Sequence, residues 1–514
     1  MLVIVLATVT ACDESDLLDQ TNPNALAPSN FWRNADDAKR GIMGAYAPFT
    51  DIWYYTRFEI FLSDYRDDLV NGYNISERTA AGNFNADPAS NGAKWVWSAM
   101  YKGISRSNEV IANVPAIEMD QTAKNNILGE AYFIRAFNYF NLLNYWRNVP
   151  LILIPSGQVE NARQVPQADP LEVYNQIVAD LTEAANLLPT TWTNSDDLGR
   201  VRKVSAIGML GKAHLYQGNW DLAKTEFQKV MNDGSVGLVD DYRDNFREAS
   251  ENNFESLFEV QMKNNADGKQ GWCADCANHG AGAGFHQDLT TRPYGGQDGL
   301  RINDWALTLF LDEKTVNDEI DPRAFSTLIW DTPETTTYEG DVLGAFYYEG
   351  KTFEEAWGVG DTRIFPTKHL DFEQGYTAAN AGGWHRSGNN LRILRYADIL
   401  LMFAEAEFNL NGSSAAALAA INEVRARVDM PAHTSITMQD IEDERIKELS
   451  LERTRYYDLL RWGKVKERVV DASGIKSESG GTGAYRPGRE YIAIPLDEMN
   501  NSDVFVQNQG WDAE

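Results

Sequence analysis

The sequence predicts a mainly α fold, a scaffold of irregular helical repeats that carries a long loop-rich, aromatic-rich insert. Three observations lead there. Apolar residues recur three and four apart in the C-terminal segments, as with Leu418, Ile421, Val424 and Val428, which marks amphipathic helices whose stripes must be buried against one another. Leu210-Gly211, His214, Ala223 and Phe227 fall at the offsets of a tetratricopeptide repeat (TPR), with Gly218-Asn219-Trp220 as the turn between its two helices. Between about residues 234 and 390 the chain becomes rich in Gly, Asn and Thr, with Trp272, Trp305, Trp330, Trp357 and Trp384 spread along it.

The bulk numbers set limits on function. Lys and Arg total 46 and Asp and Glu 75, a formal charge of −29 that repels nucleic acid at long range and disfavours a polyanionic ligand unless a local basic patch overrides the mean field. Composition, at 43% hydrophobic and 24% charged, is that of an ordinary globular protein, and no interior run reaches the ~18 apolar residues of a membrane span.

In chain order, residues 1–12 read as a lipoprotein signal in which Val9-Thr10-Ala11 leads to a lipidated Cys12, against the plainer reading of a buried N-terminal strand. A positively charged start is missing. Residues 13–30 form a flexible tether. Phe31-Trp32 opens a helix with Ala38, Ile42, Ala45, Tyr46 and Phe49 on its inner face, and Ser63-Asp64 and Asp67-Asp68 then lead into a loop rich in turn formers that carries Tyr73 and Phe84. Trp97 and Tyr101, four apart, read as core of the next helix, and a further hairpin runs from Pro170 through Leu188 to Arg200. Leu128-Gly129 and Tyr132 repeat only the start of the repeat signature. The helical region thus spans 31–233, the insert 234–390 and a C-terminal helical region 391–514, woven into one fold. Each repeat buries its stripe only against its neighbours.

The C-terminal region holds the most specific pattern. Arg395-Tyr396-Ala397-Asp398 leads through Met402 and Glu405-Ala406-Glu407, followed by Ile421-Asn422 with Arg425 and Arg427, then Glu444-Arg445, Glu448-Leu449, Glu452-Arg453 and Asp458 to Trp462. These read as three helices, the first ended by Asn411-Gly412 and the second by Pro431. On the third, Asp443 and Lys447, Glu452 and Arg455, and Asp458 and Arg461 stand at ion-pair spacing on one face. This order resembles the SusD/RagB family of Bacteroidetes outer-membrane lipoproteins. So do Trp97, Tyr101, Ile104 and Asn108 on one helix, Gly129-Glu130-Ala131 with Phe133 and Arg135-Ala136, the Val149-Pro150-Leu151 turn, Asp321-Pro322-Arg323, and the Gln507-Asn508 tail, where Gln509 replaces the family's proline.

The resemblance implies a cell-surface glycan-binding lipoprotein, anchored in the outer membrane through Cys12 and facing outward, that lies as a lid over a SusC-like TonB-dependent transporter and delivers cargo to it. The acidic cluster Asp13-Glu14-Ser15-Asp16 resembles the surface-export signal of such lipoproteins. It also implies binding without turnover, with no enzyme activity. The alternative is RagB-like peptide capture with the same transporter partnership, since peptides are held through backbone hydrogen bonds and need no aromatic platform. A periplasmic repeat scaffold for protein assembly is a third class, with little use for an aromatic-rich insert.

Sugar rings expose C–H faces that stack on aromatic side chains, while amides, carboxylates and guanidinium groups take the hydroxyls. Candidates for that chemistry are Tyr73, Asn74, Asn83, Phe84, Trp272, Arg292, Tyr294, Trp384 and Asn389. The family resemblance places its binding site on loops of these two regions. Each taken singly also reads as a packing residue, and the Glu and Arg residues of the C-terminal motif read as scaffold ion pairs. Cys273 and Cys276 read as a local disulfide on an oxidising cell surface, with free thiols or a zinc site with His279 and His286 as alternatives. No nucleotide or metal motif stands in a supporting context, so neither a cofactor nor a metal is expected.

Overall fold

The structure is a computed structural model that describes residues 31–72, 80–263, 282–289, 299–344, 352–370, 387–472 and 485–511. Six helices form its N-terminal half: α1 (Ala35–Tyr46), α2 (Asn91–Asn113), α3 (Gln121–Trp146), α4 (Pro170–Leu187), α5 (Lys203–Tyr216) and α6 (Trp220–Met231). Local chemistry sets their ends. Asp169 accepts from the Leu171 N–H while Glu172 reaches back to the Asp169 N–H, and Pro170 fills the first turn of α4, where no backbone donor is needed.

From α2 to α6 each helix packs on the next, so the apolar stripes form one continuous core. Trp97, Phe133, Phe137 and Trp146 lie within it. At the α5–α6 contact a Cβ on Gly211 would stand 2.5 Å from the Phe227 ring, which is why a glycine sits in that helix interior. Gly218, with φ of 70°, turns the chain between the two helices. Arg135 on α3 joins three helices, pairing with Asp180 of α4 at 2.7 Å and donating to Asn108 of α2.

The insert is threaded through this scaffold. β1 (Val70–Gly72) pairs antiparallel with β3 (Leu300–Ile302), and β2 (Ser256–Val260) pairs antiparallel with β8 (Leu391–Arg395). Phe258 of β2 meets Phe49, Phe133 and Phe137 edge-on at 5.2–5.9 Å, so this ladder belongs to the main core. Helices α7 (Phe285–Leu289), α8 (Asp304–Leu311), α9 (Pro322–Thr327) and α10 (Phe353–Trp357) fill the space between. Two further ladders complete it: β4 (Leu328–Ile329) with β7 (Phe365–Pro366), and β5 (Thr335–Tyr338) with β6 (Asp341–Gly344). β3 is followed directly by α8, with Asn303 between them. Three of the insert's tryptophans are packed: Trp330 stacks on Phe325, Trp357 on Phe353 and Phe365, and the Trp305 indole donates to the Asp68 carbonyl.

The C-terminal motif, from Arg395 to Trp462, forms four helices where three were expected: α11 (Tyr396–Asn411), α12 (Ala415–Ala426), α13 (Met438–Leu449) and α14 (Arg455–Arg461). α11 packs on α6 and extends the row of repeats. Gly412 ends α11, but α12 stops at Ala426, ahead of Pro431, where Met430 N–H returns to the Arg425 carbonyl and Asp429 adopts a left-handed φ.

The expected third helix breaks at Ser450–Thr454, with positive φ at Leu451 and Arg453. The carbonyls freed there accept from Lys368, which takes Glu448 and Ser450 at 2.8 Å each. The break also redirects the ion pairs. Only Asp458–Arg461 forms within one helix; Lys447 pairs with Glu313, Glu452 with Arg395 and Lys368, and Arg455 with Asp68 and Glu442. A short helix, α15 (Leu496–Asn501), follows Pro495, and Asn508 is buried with its amide on the Trp146 and Ile492 carbonyls. No helix among the described residues is long and apolar enough to cross a membrane.

Candidate ligand-binding surface

The candidate residues belong to segments whose stems the fold brings together. Gly72, at the end of β1, stands opposite Leu300 at the start of β3, so segments 73–79 and 290–298 leave from one end of a single ladder. Val260 faces Leu391 at the end of the β2–β8 ladder, and the Met262 N–H donates to the Asn390 side chain at 2.6 Å. Ala283 bridges Ser387, with a 2.8 Å bond from its N–H to the Ser387 carbonyl. The stems of 264–281 and 371–386 are therefore adjacent at both places. α7 links the two groups of stems, because Asp288 pairs with Arg57 at 2.7 Å and its carbonyl accepts from Tyr65, while Gly284 and Phe285 donate to the Thr56 carbonyl.

Tyr73, Asn74, Trp272, Arg292, Tyr294 and Trp384 lie outside the described residues, as do Cys12, Cys273, Cys276 and His279. The three described candidates, Asn83, Phe84 and Asn389, take the packing role that each also allowed when read singly. Phe84 is 2% exposed, set edge-on against Tyr485 with the Arg66 guanidinium over its ring, and Asn83 beside it is also buried. Asn389 is 1% exposed; its amide donates to the Phe246 carbonyl and its oxygen accepts from Arg392. Burial with internal partners makes all three parts of the packed scaffold. His286, drawn as a zinc ligand, is buried and stacked on Phe285.

A family model for the SusD family matches residues 242–511, and a second, described as starch-binding associating with outer membrane, matches residues 16–215. The chain belongs to the SusD family. It is 24% identical to SusD-like protein P2 of Formosa agariphila over 99% of this chain and 98% of that one. Among solved structures it resembles a SusD superfamily protein from Bacteroides vulgatus, with a TM-score of 0.80 and 23% identity over 94% of this chain and all of the other. It also resembles a laminarin-binding SusD-like protein, with a TM-score of 0.74 and 28% identity over 93% of this chain and all of the other.

The signature residues of this SusD-family chain form a buried charge centre. Arg395 donates to Glu255, Glu448 and Glu452; Glu448 also receives Arg323 and Arg427; Arg445 joins Asp398 to Asp458. Burial opposes ionisation, yet the surrounding guanidinium groups hold Glu448 well below the usual carboxylate range, and Lys212 and Arg445 hold Asp398 down at about 2. A carboxylate so held is a poor proton donor or acceptor near neutrality, and the arrangement is that of structural ion pairs. Sequence reading missed Lys368, Glu59 and Glu313, the partners that the pattern acquires from outside the motif.

Proposed function

We propose that the chain is a cell-surface glycan-binding lipoprotein that captures an oligosaccharide or polysaccharide and delivers it to a SusC-like TonB-dependent transporter. The observation that carries this reading is membership of the SusD family together with full-length likeness to a laminarin-binding relative. The paired stems support it: they bring together, pair by pair, the bases of segments carrying Tyr73, Trp272, Tyr294 and Trp384. In this reading Cys12 carries the acyl chains that hold the protein at the outer membrane, and the glycan leaves with its linkages intact.

The test is a glycan array probed with the protein lacking residues 1–12, beside a peptide library. Saturable binding to a defined glycan class, recovered at unchanged chain length after incubation, is the expected result. Binding confined to peptides, or shortening of the glycan, would replace this reading with peptide capture or with hydrolysis.

A further inference from the structure

A groove of about 440 Å³ lies on another part of the molecule, between α2, the segment that follows α3, and the C-terminal tail. Its volume is that of a small-ligand site, which spans roughly 300–1,000 Å³. Trp97, Tyr101 and Phe505 supply aromatic walls, and the Tyr101 hydroxyl closes the floor by donating to the Pro150 carbonyl at 2.8 Å. The tail forms the far side, fixed by Arg163 on Asp503 and by the Val506 N–H on the Gln167 side chain. None of the stems described above contributes to it.

Several polar groups of this groove lack a partner among the described residues. Ser98, Lys102 and Ser105 line it from α2 one turn apart, yet among the described residues their side chains make no hydrogen bond or ion pair and the Trp97 indole N–H has no acceptor. Arg106 spends one nitrogen on the Gly44 carbonyl and forms no ion pair. Opposite them stands Glu498, half-buried and unpaired, whose carboxyl burial and the neighbouring Asp497 push above its usual range. In a chain carrying −29, Lys102 and Arg106 set two cations without an ion pair among the described residues on one groove wall.

We propose that this groove is a second binding site, for a short uronate: a saccharide of one or two units bearing a single carboxylate. The carboxylate takes charge-assisted bonds from Lys102 and Arg106. Ring hydroxyls exchange hydrogen bonds with Ser98 and Ser105, which donate and accept, and donate to the Glu498 carboxylate. The apolar ring face meets Phe505, and the edge of the buried Trp97 indole closes the wall behind it. A single negative charge seated beside two cations answers to them more than to the distant net charge, which salt screens beyond about 8 Å.

The experiment is a titration of the tryptophan-¹⁵N-labelled protein with glucuronic acid, with glucose as its neutral match. The Trp97 indole signal is identified as the one lost in Trp97→Phe. It should shift saturably with glucuronic acid and respond at least about tenfold more weakly to glucose. Lys102→Glu, at an exposed position, should weaken glucuronic acid binding at least about tenfold by calorimetry, and Ser105→Phe, which fills the groove, should abolish it, both with unchanged melting. An unmoved Trp97 signal, an equal response to glucose, or parent-like binding by Lys102→Glu would overturn the proposal. The site is independent of the capture surface, so loss of array binding with the groove titration intact, or the reverse, tells the two apart.

Discussion

At the residue scale the molecule is held by buried charge. Arg395 is 1% exposed and its guanidinium serves three carboxylates and the Glu448 carbonyl. Removing it strands Glu255, Glu448 and Glu452 in the interior, and breaking a buried pair from one side costs about 3–5 kcal/mol. Arg395→Ala should lose that much in denaturant unfolding, and a loss below about 1 kcal/mol would show that the network carries little stability. A second residue gives a pH signature. Burial lifts the Asp64 carboxyl to about 7, against the pull of nearby Arg453. Its folded value lies above the unfolded value of about 3.9, so the stability associated with the neutral form is complete below about pH 4 and is lost as pH rises through about 7. Asp64→Asn keeps an oxygen for the Arg453 N–H, which lies at 2.9 Å, and removes the ionisation. Unfolding measured at about pH 5 and about pH 9 should show the parent losing stability and the variant losing clearly less; equal losses would remove Asp64 from the account.

At the element scale, two glycines inside helices separate packing from propensity. Gly211 faces Phe227 with no room for a methyl group, whereas a Cβ on Gly44 in α1 meets nothing within 4 Å. Gly211→Ala should destabilise by about 1–3 kcal/mol through overpacking, and Gly44→Ala should stabilise by about 0.5–1 kcal/mol through helix propensity. Thermal melts showing both changes of one sign would contradict the packing described. The helices themselves were legible, because periods such as Ile421, Val424 and Val428 are imposed by burial within the element. What was not legible depended on distant partners. Nothing local to Ser450–Thr454 announces that Lys368 will draw the carbonyls of Glu448 and Ser450 out of the helix. Phe84 and Asn389 have the composition of a sugar platform, but whether such a residue faces water or the interior is decided by Tyr485, Arg66 and Phe246, far away in sequence.

At the scale of the whole molecule, the row of helices from α2 to α6 continues through α11 and supplies a rigid body to which the paired stems are fixed. The proposed delivery to a transporter would need such a body held at the membrane. Replacing Cys12 with alanine should therefore move the protein from the membrane fraction to the soluble one, and its persistence in the membrane would remove the lipid anchor from the proposal. The central claim is that the stems present an aromatic capture surface for glycan. It is tested most directly by calorimetry, with the glycan found on the array, on Trp272→Ala, Tyr294→Ala and Trp384→Ala, each melted alongside the parent. The account predicts that at least one variant loses about 1–3 kcal/mol of binding with an unchanged melting temperature. Parent-like binding by all three, or loss of binding only together with loss of the fold, would contradict it.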